Sequence, residues 1–277
     1  MNPQSPSMPL PTLFLSHGGG PCFWMDWGPE DPFKNLAASL RGLAASIGAR
    51  PKAVLVISGH WEEEQFTVQT HPQPPMLYDY SGFPEHTYRL KYPAPGSPWL
   101  AQRVKELLGA AGLPVREDGE RGFDHGLFVP FLLIYPQADI PILQLSLKTN
   151  LDPREHLELG RALAPLRSEG VLIVGSGLSY HNLRRLVDTA GVSEPFDAWL
   201  TDAVCDPDPA SRANKLARWA EAPNARACHP REDHLIPLMV AAGAAGSDVG
   251  HKIYSERMVN WKFRTSSFQF GPSLTAP

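Results

Sequence analysis

Apolar residues in this chain follow two recurring patterns. Short runs rich in Val, Ile and Leu, at 12–16, 53–58, 140–147 and 171–175, have the length and β-branched content of buried strands. Longer stretches with helical spacing lie between them, and three of these open on Asp31-Pro32, Ser97-Pro98 and Asp152-Pro153. A capping oxygen followed by proline at the first helical position marks a helix start. Helices are therefore predicted over about 32–48, 98–111 and 153–168. Strand and helix alternate early in the chain and again around 140–190, which predicts an α/β fold. Its expected form is a three-layer α/β/α arrangement with a central mixed, largely parallel sheet. Weak alternation over 262–270 predicts an edge strand, and no internal repeat or linker breaks the pattern.

One segment departs from both patterns. Residues 71–98 hold seven prolines together with Tyr78, Tyr80, Phe83, Tyr88 and Tyr92, so neither a long helix nor a central strand fits there. A loop of this length with so many aromatics is either a surface excursion packing its own rings or a wall of a substrate pocket. Tyr80, His86 and Tyr88 are the residues that would touch substrate in the second case.

Composition narrows the function classes. With 25 Lys+Arg against 29 Asp+Glu the formal net charge is −4, which gives no basic footprint for nucleic acid. Hydrophobic residues at 43% and charged residues at 19% are enough for a core and too few charges for a disordered chain. Cys22, Cys205 and Cys228 stand far apart without a C-x-x-C pair, so neither a disulfide framework nor a zinc-finger spacing is expected. No apolar run approaches the roughly 20 residues that span a bilayer, and the N-terminal stretch has no basic leader region, so a cytoplasmic protein without membrane contact is expected.

The histidines carry the chemistry. His17 follows the first strand and precedes Gly18-Gly19-Gly20, and His60 follows the second, with Gly59 before it. Both occupy carboxyl ends of strands, the edge where open α/β sheets bind ligands. His181 follows the fourth strand and a glycine turn. His125 is read in a loop before the apolar segment 127–135, and His234 at or just before a helix start set by Pro237. His229 lies five residues before His234, and the helix start favours His234 of the two. His71, His86, His156 and His251 lack a strand-end context and are read as surface or loop residues.

Three neutral imidazoles suit Fe(II) or Zn and leave a divalent ion its charge and open positions, while further histidines nearby would move protons. Any single histidine in a turn is more often a hydrogen-bonded structural residue, so the case rests on all of them converging. Ser176 in Gly175-Ser176-Gly177 lacks the spacing of a nucleophile elbow. The run Glu62-Glu63-Glu64 reads as a solvated face, with Glu62 available to orient a ligand.

Taken together, SHGGGP (16–21), SGHWE (58–62), YDYSGFPEHTYRLKYPAPGSP (78–98), FDHGLFVPF (123–131), ADIPILQLSL (138–147), GSGLSYHNLR (175–184) and HPREDHLIPL (229–238) resemble the class III extradiol ring-cleavage dioxygenases. Within that group the chain is most similar to the DOPA 4,5-dioxygenase-type branch of the LigB superfamily. The resemblance implies a single catalytic domain over 1–277, a catecholic small-molecule substrate and both atoms of O2 incorporated. It implies Fe(II) for activity, with Zn as the metal found or substituted. Matched residue by residue, His17, His60 and His234 correspond to the metal ligands and His125 to an acid/base. His181 corresponds to either a fourth ligand or a second acid/base. The HGGGP turn is longer than the HGSP-like turn of plant relatives, and the third ligand position, a glutamate in the protocatechuate branch, is His234 here. A monomer or small homo-oligomer is expected. Two other readings use the same histidines: a zinc hydrolase with Glu62 or Asp233 as base, and a non-catalytic metal-binding member of the superfamily.

Overall fold

The computed structural model describes residues 8–272. The first seven residues of the N-terminal stretch considered above lie outside them. Eight strands form one sheet: β1 Thr12–Ser16, β2 Ala53–Glu63, β3 Phe66–Gln69, β4 Val115–Asp118, β5 Ile142–Lys148, β6 Val171–Gly177, β7 Gly250–Arg257 and β8 Arg264–Phe270. Their spatial order is β4-β3-β5-β2-β6-β1-β8-β7. The central strands β5, β2, β6 and β1 pair in parallel. The flanks are mixed: β3 is antiparallel to β5 and parallel to β4, and β8 is antiparallel to β1 and β7. Among the described residues the α-helices are α1 Lys34–Ile47, α2 Pro98–Ala110, α3 His125–Ile134, α4 Pro153–Leu163, α5 Ser193–Val204, α6 Pro209–Ala217, α7 Ala225–Cys228 and α8 Ile236–Ala245.

The layering can be read along β2. Ala53, Leu55 and Ile57 belong to a buried cluster with Leu100 and Val104 of α2, Leu157 of α4 and Leu238 of α8. Val54 and Val56 belong to a second cluster with Leu36 and Leu40 of α1 and Phe128 of α3. Successive strand side chains point to opposite faces, so a strand covered on both sides needs an apolar residue at every position. That is why 53–57 is an unbroken apolar run, and why the three-layer α/β/α arrangement holds.

Several boundaries differ from the sequence expectation for identifiable reasons. β2 runs on to Glu63 through a register shift between Ile57 and Glu62. The segment 262–270 becomes β8 with neighbours on both sides, so it is not an edge strand. The edge falls to β7, whose His251, Lys252, Glu256 and Arg257 give it the charged character that protects a free sheet edge. Asp152 caps α4 as expected, accepting from the backbone N–H of Arg154 and Glu155. Pro98 opens α2, but the Ser97 hydroxyl makes no capping bond. Asp31 instead closes a turn by accepting from Phe33 N–H at 2.9 Å, and α1 starts later, at Lys34. The third helix is α-helical to Leu163 and continues as a 3-10 turn over Ala164–Arg167. Cys22, Cys205 and Cys228 are free thiols. Among the described residues no helix is long and apolar enough to cross a membrane.

Helices α4 and α8 approach almost backbone to backbone. A Cβ placed on Gly160 would sit 2.2 Å from the Val240 carbonyl oxygen and 2.8 Å from Gly243 Cα. Gly160→Ala is therefore expected to cost about 1–3 kcal/mol in chemical denaturation, the range for overpacking. Gly42→Ala, on the exposed face of α1 with open space around it, is expected to stabilise by about 0.5–1 kcal/mol. Equal midpoints for the two variants would refute this account of the packing.

Candidate metal centre and active site

Five histidines gather at the carboxyl edge of the parallel strands. His17 directly follows β1, His60 lies in the extension of β2, and His181 lies four residues beyond β6. His125 opens α3 and His234 lies two residues before α8. His125, expected in a loop, is thus a helical residue. The cause is Asp124, whose side chain accepts from Leu127 N–H and caps the helix.

His17, His60 and His234 converge on one point. His60 Nε2 lies 3.2 Å from His17 Nε2 and 3.1 Å from His234 Nε2. Two nitrogens bound to one ion at about 2.1 Å, at angles between tetrahedral and octahedral values, lie roughly 3.0–3.4 Å apart. The separations therefore fit the ligands of a single divalent metal. Nearby, His60, Asp79 and His125 form a second potential ligand group, and His181, Asp233 and His234 a third.

Two rings of the first group are set from behind by hydrogen bonds, and the third lies beside a carboxylate. His17 Nδ1 lies 3.0 Å from Ser176 Oγ. The Ser176 hydroxyl donates to the Gly126 carbonyl, so its oxygen accepts from the ring N–H. Gly126 has a carbonyl to spare because Pro130, four residues on within α3, has no N–H to offer it. Pro130, Gly126 and Ser176 together thus fix the His17 tautomer that leaves Nε2 unprotonated. His234 Nδ1–H donates to Asp233 Oδ2 at 2.9 Å, with the same consequence. His60 Nδ1 lies 3.8 Å from Asp79 Oδ2.

Electrostatics keep the rings neutral. Burial, followed by the charge of neighbouring imidazoles, holds His17 and His234 well below the ordinary histidine range. Burial and then the adjacent His125 bring His60 down to about 4. Burial pushes the Asp233 carboxyl up, but the His181 and His234 rings outweigh it and hold Asp233 well below the usual carboxylate range. A neutral imidazole oriented by an oxygen acceptor is the form that ligates a metal.

His125 and His181 sit beside this trio. The His125 ring centroid is 3.9 Å from that of His60. Its backbone N–H and its Nδ1–H donate to Asp79 Oδ1 at 3.0 and 2.7 Å. His181 stacks on His234 with centroids 3.5 Å apart, and its Nδ1 lies 3.7 Å from Asp233 Oδ1. His181 thus groups with Asp233 and His234, apart from His17 and His60.

The remaining candidates resolve differently. His229 is buried against the chain and its Nε2 donates to the Ser179 carbonyl at 2.9 Å, outside the cluster. His156, read as surface or loop, is fully buried in α4, where Nδ1 donates to the Asp152 carbonyl and Nε2 accepts from Lys148 N–H. His86 is exposed and bonds the Trp24 carbonyl. Glu62 is ion-paired with Arg231. Tyr80 packs edge-on against His125, while Tyr78 and Tyr88 pack on Tyr80. The aromatic loop therefore packs its own rings and also reaches the site.

Asp79 is the functional residue that sequence reasoning missed. One acid between two tyrosines in a proline-rich segment matches no spacing rule; its placement inside the aromatic loop was the available signal. Asp124 was missed as well. This buried carboxylate accepts from Ser58 Oγ at 2.8 Å, Arg121 at 3.1 Å and Gln144 Nε2, and so ties β2, β5 and α3 together beneath the histidines.

Comparison with known proteins gives a consistent picture. Residues 11–271 match the family described as the catalytic LigB subunit of aromatic ring-opening dioxygenase. The chain is 43% identical over 242 residues to the 4,5-DOPA dioxygenase extradiol of Beta vulgaris, covering 86% of this chain and 87% of that protein. It is 38% identical over 272 residues to a dioxygenase of Hapsidospora irregularis, covering 91% and 80% respectively. A crystal structure of an uncharacterised Escherichia coli K12 protein matches with a TM-score of 0.72 at 32% identity, covering 95% of this chain and 100% of that one.

Two predictions follow from the geometry and the buried rings. Removing the acceptor behind His234 by Asp233→Ala is expected to weaken divalent-metal binding about 10–100-fold in competition with a chromophoric chelator. Unchanged affinity would show that Asp233 does not orient the ring. In the metal-free protein, His60, His156 and His229 stay neutral down to about pH 4. The same rings take up protons near 6.5 once unfolded, so between these values the unfolded chain binds more protons and stability falls as pH drops. The urea midpoint is expected to decline from pH 7 toward pH 4.5, less steeply in His156→Gln. An identical slope in that variant would contradict the assignment.

Proposed function

Since this chain belongs to the family of the catalytic LigB subunit of aromatic ring-opening dioxygenase, we propose that His17, His60 and His234 hold its catalytic metal, with His125 and His181 handling protons. The protein is a metal-dependent extradiol dioxygenase that opens the ring of a catechol with O2. The single observation that supports this ligand set is the chain of Nε2 separations, 3.2 Å from His17 to His60 and 3.1 Å from His60 to His234. We take the matched span as one catalytic unit and the working metal as Fe(II). Zn binds the same donors but has no redox chemistry to offer dioxygen.

A divalent metal held by His17, His60 and His234 would supply Lewis acidity toward the catechol oxygens and a route for electron density from the ring to dioxygen. The protein's own groups manage the protons. The His125 ring is held by Asp79 through Nδ1–H, which leaves Nε2 unprotonated and able to accept a catechol hydroxyl proton. The Asp79 carboxylate stabilises the imidazolium so formed, and the same Nε2 returns the proton when the ring opens. His181, with Asp233 behind it, stands on the other side of His234 as a second donor to oxygen bearing negative charge. Both oxygen atoms end in the product, so no external reductant is required. A zinc hydrolase is disfavoured because its two candidate bases are committed, Glu62 to Arg231 and Asp233 to His234.

Protein loaded anaerobically with Fe(II) is expected to consume one O2 per catechol and to form a yellow semialdehyde. His125→Ala is expected to retain its metal and lose about 10²–10⁴-fold in kcat. Asp79→Asn is expected to fall at least about tenfold with a displaced pH–rate profile, because it acts through His125. Iron-replete protein that takes up no oxygen with a broad panel of catechols would overturn the reading.

A further inference from the structure

A cavity of about 340 Å³ opens beside His181, within the roughly 300–1,000 Å³ that holds small organic ligands. Its lining includes His181 of the five clustered histidines, with Ser16 and Gly18–Gly20 on either side of His17 in the chain. Trp27, Phe33, Phe83, Met258, Trp261 and Phe263 are among its lining residues. Several of these rings pack on one another: Trp261 lies 5.2 Å from Phe33, 6.0 Å from Trp27 and 6.2 Å from Phe263 between centroids. At the mouth, Leu183 and Leu186 are exposed large hydrophobic residues that also line the cavity.

Charge is absent from this surface. Among the described residues no Asp, Glu, Lys or Arg lines the cavity. Its polar groups are engaged within the protein: Ser16 and Thr265 hydroxyls bond each other, Tyr180 donates to the Arg185 carbonyl, and Asn182 donates to the Ala227 carbonyl. His181 remains as the polar contact beside the clustered rings. Two cations, Arg184 and Arg231, line an adjoining depression together with Asp233; it shares His181, Asn182 and Leu183 with the cavity. Arg231 is ion-paired with Glu62, and Arg184 is exposed to solvent.

We infer that the substrate is a catechol carrying an uncharged apolar or aromatic substituent, which lies in this cavity, and not one carrying the zwitterionic side chain of DOPA. The inference rests on the ring-cleavage reading above. An ammonium and a carboxylate drawn into the cavity would lose water without gaining an oppositely charged Asp, Glu, Lys or Arg side chain, which is unfavourable. An aryl or alkyl group there gains by leaving water and by contact with the aromatic rings. Gly20 lets the Phe83 ring of the cavity wall pack close, since a Cβ there would lie 2.8 Å from that ring.

The test compares 4-phenylcatechol, 4-tert-butylcatechol, catechol and L-DOPA as substrates of the iron-loaded protein, followed by oxygen uptake. The expected kcat/KM for 4-phenylcatechol exceeds that for L-DOPA by at least about tenfold. Leu186→Arg, at an exposed position that lines the cavity and not the charged depression, is expected to shift that ratio toward L-DOPA by at least about tenfold. Independently of turnover, 4-phenylphenol is expected to quench the tryptophan fluorescence of the metal-free protein to saturation, through Trp27 and Trp261, while L-DOPA does not. If catechols are opened but L-DOPA is preferred, and Arg184→Ala abolishes that preference, the side chain lies in the charged depression and this inference fails while ring cleavage stands. If no catechol is opened by iron-replete protein, the functional reading fails and this inference with it.

Discussion

Three imidazole lone pairs aimed at one point repel unless a cation sits among them, and they can be aimed there only if each ring is neutral and fixed from behind. Every other feature of the site serves that condition. Burial keeps His17, His60 and His234 unprotonated at neutral pH. The carbonyl that Pro130 leaves free in α3 recruits Ser176, and Ser176 in turn fixes the proton of His17. Asp233 does the same for His234. A helix imperfection and one carboxylate thus decide which nitrogens of His17 and His234 face the point of convergence.

The sheet makes this arrangement rigid. The parallel strands β1, β2 and β6 bring their carboxyl ends to one edge, and α3 and α8 begin at the same place. Close approach there depends on missing side chains. A Cβ on Gly126 would meet Ser58 Oγ at 2.4 Å, and one on Gly177 would meet the His234 carbonyl at 2.0 Å. Beneath the rings Asp124 is fully buried, and its charge is acceptable only because Ser58, Arg121, Gln144 and the α3 N-terminus all donate to it. The clustered rings therefore sit at or near strand ends and helix starts.

The legible part of this design was the part written locally. Strand-end histidines beside glycine, apolar runs long enough for buried strands, and Asp-Pro at a helix start each carry their meaning within a few residues. What depends on tertiary contact was not legible. His156 looks like a surface residue because nothing nearby shows that one of its nitrogens will accept from Lys148 N–H and the other donate to the Asp152 carbonyl. Asp79 gains its role only when the aromatic loop folds over α3 and meets His125. The segment 262–270 gave an alternating pattern, but its neighbours β1 and β7 lie far away in sequence, so its central place could not be read from the segment itself.

The most direct test of the central claim is anomalous diffraction on either side of the iron K edge, from crystals of protein loaded anaerobically with Fe(II). The account predicts one iron peak per chain, about 2.1 Å from Nε2 of each of His17, His60 and His234. An iron peak bound instead by His60, Asp79 and His125, or no peak among the three rings, would contradict it.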